Sequence, residues 1–218
     1  MNTYMFQQHN YEGYKPAWNK AVETLKSKNP LEIALKSGAD YDSDQQLFYL
    51  KSFGQTMIIS YLTGEVSLQG YEKMPLFYWC LTAVNYLARS SGELPAKRLI
   101  SYKELDGGNV FYPALLRDSY QPFEKFVEDK QPEAISKAVT ALGGKLTSNA
   151  DVSACIYLFP KFPITLNIWL KDEEFGGSIN LLFDANANQY LHTEDIAAVS
   201  DLCLKFMNNG INRLAQHN

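Results

Sequence analysis

Apolar residues along this chain change their period several times, and each change predicts a change of element. Pro16 opens a helix, and Ala17, Trp18, Ala21, Val22 and Leu25 follow at helical spacing. Asn29-Pro30 predicts a second helix start, with Asn as cap and Pro in the first turn. Leu31, Ala34 and Leu35 form its expected apolar side, and Gly38 stops it. The pattern then turns strand-like. Residues 46–53 (QLFYLKSF) and 56–62 (TMIISYL) are rich in aromatic and β-branched residues and predict a hairpin turning at Gly54-Gln55. A turn at Gly64 precedes Val66 and Leu68. Residues 75–88 are apolar on nearly all sides, which predicts a helix covered on both faces.

The second half reads similarly. Residues 99–116 hold a short strand or turn, a bend at Asp106-Gly107-Gly108, and the aromatic pair Phe111-Tyr112. Helices are expected over 120–128 and 132–142, the second between Pro132 and Gly143-Gly144. Strands are expected over 155–159, 164–170 and 179–183. A last helix runs from Thr193, its expected cap, to about residue 208, with Glu194 and Asp195 favoured by the dipole of its first turn and Gly210 ending it. The fold class implied is α+β: antiparallel sheet, single or double, with helices packed on one side and a pseudo-repeat of helix, three strands, helix. The pseudo-halves are 16–115 and 120–218. No Gly/Ser linker divides them, so one compact domain over 1–218 is expected.

Composition narrows the function classes. With 46% apolar and 20% charged residues, the 218-residue chain can bury a substantial core. A net charge of -4 without a basic block argues against non-specific nucleic-acid binding. No stretch reaches the ~18 uncharged apolar residues of a membrane span, and Met1 to Tyr4 lack the basic segment that opens a secretory signal. Three scattered cysteines, Cys80, Cys155 and Cys203, predict buried reduced thiols and a cytoplasmic location. An iron–sulfur cluster from cysteines alone normally needs four ligands, so no cluster of its own is expected.

Candidate chemistry is sparse. Of His9, His192 and His217, only His192 has a structured context; it reads as a ligand or acid/base group, or as a loop residue ahead of a helix cap. No HExxH or paired-His spacing supports a metal site. The carboxylates Asp172, Glu173 and Glu174, followed by Phe175 and then by Asp184, read as a ligand-binding cluster or as a solvated hairpin turn. Gly107 and Gly108 can bring backbone N–H groups to an anion or simply form a tight turn, with Phe111 close behind. Arg117 can clamp a phosphate or carboxylate, or pair with Asp118. No set of catalytic residues is identifiable.

Several segments together resemble a known family. They are Asn29-Pro30, Pro75-Leu76 with Tyr86-Leu87, residues 100–105 (ISYKEL) with Gly107-Gly108, and Arg117-Asp118-Ser119. The strongest part is Phe159-Pro160 with Pro163, Trp169, residues 172–175 (DEEF), Leu182-Phe183-Asp184, Tyr190-Leu191 and Glu194-Asp195. Over roughly residues 25–205 the chain is similar to the domain-of-unknown-function family number 3786, an uncharacterised microbial family. Some members carry a fused four-Cys iron–sulfur domain of the corrinoid iron–sulfur protein type. The resemblance implies anaerobic redox or corrinoid metabolism by association, although the corrinoid signature D-x-H-x-x-G is absent.

Three functions are expected in this order. The first is non-catalytic binding of a small, flat cofactor, a corrinoid such as cobalamin, for which the abundant aromatics are suited. The second is an enzyme using Asp172–Glu174 and Asp184, with Arg117 and His192. The third is a module that docks on an iron–sulfur or methyl-transfer partner. Neither nucleic acid nor membrane is an expected partner.

Overall fold

The order of elements repeats along the chain. In the first half α1 (Lys15–Lys26) and α2 (Pro30–Ser37) precede β1 (Asp40–Asp42), β2 (Leu47–Ser52), β3 (Gln55–Ser60) and β4 (Val66–Leu68), and α3 (Phe77–Arg89) follows. Then come β5 (Leu99–Ser101), α4 (Gly108–Leu115), a π-helical turn (Leu116–Tyr120), α5 (Gln121–Val127) and α6 (Pro132–Ala141). The second half continues with β6 (Lys145–Thr147), β7 (Val152–Phe159), β8 (Phe162–Trp169), β9 (Ser178–Asp184) and α7 (Thr193–Gln216). The computed structural model describes residues 3–6, 12–174 and 176–216.

The strands form two antiparallel sheets. One has the order β1-β2-β3-β4 and the other β5-β9-β8-β7-β6. The fold is α+β. Each half therefore holds a helix, a four-strand meander and a closing helix. The expected triplet of strands gains a fourth in each half because β1 and β6 are three-residue edge strands, too short to show a period.

Side-chain alternation sets the sheet faces. Ile164, Leu166 and Ile168 of β8, with Leu181 and Phe183 of β9, point to the helices and are buried. The opposite face carries Tyr157, Trp169 and Leu99, all at least 40% exposed. The buried residues of both halves form one cluster. At its centre the rings of Phe53, Trp79 and Phe206 meet with centroids 5.3–5.9 Å apart, and the Trp79 indole donates to Ser52 Oγ at 2.7 Å.

Several local expectations change. In α2 the buried positions are Ile33 and Ser37, while Leu31 and Leu35 are 64% and 78% exposed. The β2–β3 hairpin turns on Phe53 and Gly54, both left-handed at φ 46° and 73°, because Ser52 pairs with Gln55. Phe53 accepts that backbone while its ring is fully buried. The region after the glycine bend is α4, which continues through the π-helical turn into α5. The final helix runs through Gly210 to Gln216. Gly210 is a point of close approach to α6: a Cβ there would stand 3.3 Å from the Ala138 methyl. Thr193 is not the cap of α7. Its hydroxyl donates to the Asp106 carbonyl at 2.6 Å, and the His192 carbonyl accepts the first helical bond, from the Ile196 N–H.

Candidate functional site

The closing helices of the two halves, α3 and α7, pack antiparallel, and their seam is where concave surface and perturbed chemistry meet. Asn85 of α3 donates to both oxygens of Asp195 of α7, at 3.1 and 3.2 Å. About two turns back along α3, Leu76, Phe77 and Tyr78 face Ala198, Asp201, Leu202 and Lys205 across a hollow of 440 Å³. That volume lies within the range of small-ligand sites, and the walls are mostly apolar. One wall is aromatic. Tyr14 packs on both Phe77 and Tyr78, with centroids at 5.7 and 5.1 Å, and Trp18 covers Phe77 at 5.6 Å. Burial and the hydrogen bond with Tyr14 push the Tyr78 phenol up to about 12, so it is a neutral hydrogen-bonding group at physiological pH.

The rim of the hollow is polar and organised. Asp201 accepts from Ser119 Oγ at 2.6 Å and pairs with Lys205 Nζ at 2.6 Å. Ser119 belongs to the π-helical turn, a rare irregularity that is frequent at functional sites. Beyond the hollow, burial pushes the Asp195 carboxyl up, while the Asn85 amide, His192 and Arg89 pull it down. A partly buried acid with a cation among its neighbours marks a candidate site on physical grounds. Arg89 sits in the last turn of α3, where the helix dipole favours a cation. Its Nε is buried without a hydrogen-bond partner among the described residues.

The sequence candidates fall into separate places. Gly107 and Gly108 lie beside the start of α7: the Asp106 N–H donates to Asn188 Oδ1 at 3.0 Å, and the Tyr102 hydroxyl donates to the Thr193 carbonyl at 2.9 Å. These bonds bring the glycine bend and His192, which is exposed, to one corner. Phe111 follows on α4 and packs half-buried against the core. Arg117 forks onto Asp118 at 2.7 Å through both Nε and Nη2, on the exposed side of the π-helical turn.

Asp172, Glu173 and Glu174 occupy the exposed β8–β9 turn, where Asp172 Oδ1 accepts the Glu174 N–H at 2.8 Å. Phe175 lies outside the described residues, as do His9 and His217. Asp184 stands at the far end of β9, about 20 Å from that turn at the rise of a strand. It is 7% exposed and accepts from the backbone N–H groups of Ala96, Lys97 and Asn186 at 2.9, 3.0 and 3.1 Å. The structure does not gather Asp172–Glu174, Asp184, Arg117 and His192 into one site.

Sequence reading missed Tyr78, Asn85, Arg89, Asp195 and Asp201. The available signal was Asn85, a polar residue in the middle of an apolar helix, and Asp195, three residues beyond His192. Among the described residues no group of three or more His, Cys, Asp or Glu is placed to hold a metal ion, and no helix is long and apolar enough to cross a membrane.

Comparison with known families adds one match. A family model described as a domain of unknown function (DUF3786) covers residues 29–205. The chain belongs to this family. Its matched span runs from the cap of α2 to the middle of α7, so it includes both walls of the α3/α7 seam and leaves out Tyr14 and α1 with Trp18. No curated protein and no solved structure matches the chain.

Proposed function

We propose that this protein is a non-catalytic binding protein for a small, flat cofactor, which it takes into the hollow between α3 and α7. The observation that carries the reading is the hollow itself: an apolar cleft of 440 Å³ with the exposed ring of Tyr78, backed by the buried Phe77, on one side, Leu202 and Ala198 on the other, and an organised Asp201–Lys205 rim. The Tyr78 ring suits a planar ligand, which stacks at little entropic cost. The family likeness makes a corrinoid the first ligand class to try, with one edge of the macrocycle in the hollow and the rest over the seam.

The test is an absorption and mass spectrum of natively purified protein, followed by titration with cyanocobalamin. A bound chromophore or a shifted corrinoid spectrum, weakened at least severalfold by Tyr78→Ala, is the expected result. A colourless protein whose titration leaves the spectrum unchanged removes the corrinoid. A second reading, docking on an iron–sulfur or methyl-transfer partner, draws on the exposed apolar residues Leu99, Tyr157 and Trp169 of the second sheet. It expects Trp169→Ser to weaken co-purification with such a partner and to leave ligand titrations unchanged.

A further inference from the structure

The hollow between α3 and α7 is apolar over most of its wall, but its lining includes two charged side chains, Asp201 and Lys205. They lie four residues apart on α7 and so share one face of the helix. The Tyr78 ring also lines the hollow and is 44% exposed. Its hydroxyl is engaged with that of Tyr14, whose ring packs on it edge-on at 5.1 Å.

The two charges are differently committed. Both Asp201 oxygens are engaged: Oδ1 accepts the Ser119 hydroxyl at 2.6 Å, and Oδ2 pairs with Lys205 Nζ at 2.6 Å. Ser119 is buried in the π-helical turn, and the Asp201 side chain is only 26% exposed. This anchored carboxylate fixes the ammonium at the rim, where it would otherwise swing on a flexible stem. An ammonium carries three N–H donors, and Asp201 takes one of them. The Lys205 side chain is 64% exposed, so the other donors are open to a ligand.

We infer, resting on the hollow as the binding site, that its ligand is an acid: a ring against Tyr78 with a carboxylate on Lys205. Both side chains line one hollow of 440 Å³, so a single small molecule can touch both. A carboxylate accepts the open N–H groups in a charge-assisted bond, the stronger kind. A neutral amide offers the ammonium only a carbonyl. A ligand ammonium meets Lys205 as a like charge and finds both Asp201 oxygens already engaged. The exposure of the rim limits the repulsion between the ligand carboxylate and Asp201. For the flat cofactor proposed above, the acid is a side arm at the edge of the ring. Ser119 and Asp201 are positioning residues that act through Lys205.

The experiment uses three probes with one ring and one tether: 4-phenylbutanoate, 4-phenylbutanamide and 4-phenylbutylamine. Each is titrated into the full chain at low salt by ¹⁵N-resolved NMR, following the backbone amides of Tyr78, Ala198 and Leu202. The acid is expected to bind about fivefold more tightly than the amide, the scale of an ion pair at a partly exposed place, and the amine most weakly. Lys205→Gln, checked for native dispersion, should bring acid and amide together, and added salt should narrow their gap in the wild type. Ser119→Ala should narrow the gap while leaving the amide affinity unchanged, which a merely structural role would not do. Equal binding of acid and amide overturns the inference, as does an acid preference that survives Lys205→Gln or a failure of all three probes to bind. If Tyr78→Ala weakens cyanocobalamin binding while acid and amide bind alike, the hollow stands as the site and the acid reading alone falls. If cyanocobalamin does not bind while the acid preference holds and depends on Lys205, the corrinoid falls and the acid site stands.

Discussion

Replacing Asp184 with alanine tests whether this carboxylate is a structural staple or a ligand group. Its side chain joins the end of β9 to the segment before β5 by accepting the backbone N–H groups of Ala96 and Lys97, and it also accepts that of Asn186, two residues further along its own strand end. Hydrogen bonds to a charged acceptor contribute about 1.5–3 kcal/mol each when both groups are removed from water. Ala96 and Lys97 are exposed, so water replaces part of the loss, and the expected destabilisation of Asp184→Ala is about 2–4 kcal/mol in total. Asp184→Asn keeps one acceptor oxygen but turns an NH2 toward a donor, and should fall between wild type and alanine. The segment has other ties: Asn186 Nδ2 donates to the Leu94 carbonyl at 2.6 Å and the Tyr190 hydroxyl to the Glu93 carbonyl. Global unfolding in urea gives the total, and hydrogen exchange at Ala96 and Lys97 shows whether the segment opens by itself. An alanine variant within about 0.5 kcal/mol of wild type, the range of an ordinary surface change, with those two amides still protected, refutes the staple.

Other substitutions probe separate contacts. Tyr86→Phe removes a buried hydroxyl that donates to the Ser37 carbonyl at 2.6 Å and accepts the Lys161 N–H at 3.1 Å; urea denaturation should show a loss of about 1–3 kcal/mol. Gly108→Ala puts a methyl 2.0 Å from the Tyr102 carbonyl oxygen, so the bend must shift and the melting temperature should fall by several degrees, the equivalent of about 1–3 kcal/mol. Asp195 titrates above its unfolded value of 3.8 because burial disfavours the ionised form. The native state therefore holds this proton more tightly, and stability falls as pH rises from that value through the raised one. Thermal unfolding of Asp195→Asn across that window should lack the Asp195 part of the fall, and an unchanged slope would count against its burial as the cause.

The sequence made the regular elements legible wherever the apolar period was long. The Asn29 cap, the Gly38 stop and the three long strands of the second sheet stand where the pattern puts them. Legibility failed where tertiary packing overrode local signals. Leu31 and Leu35 look like a buried pair by spacing, but α2 turns Ile33 and Ser37 inward instead. Gly210 looks like a stop, yet its missing side chain lets α6 approach a helix that continues. The candidate site was harder still. Asp172–Glu174 and Asp184 are close in the chain but at opposite ends of one strand, whereas Asn85 and Asp195 touch across 110 residues. No local pattern reports such a meeting.

The repeated order of elements has a consequence for how the chain reaches its fold. Every strand pairing except β5–β9 joins sequence neighbours. Each meander can therefore zip with little loop-closure entropy, ahead of the long-range contacts. The closing helices differ. Trp79 finds Phe206, and Asn85 finds Asp195, only when both halves are in place. Docking of α3 on α7 is then the late event, and until it happens both helices leave apolar surface uncovered. The same seam that forms the hollow is thus open to misassociation until the halves meet, and a ligand lodged there would hold them together.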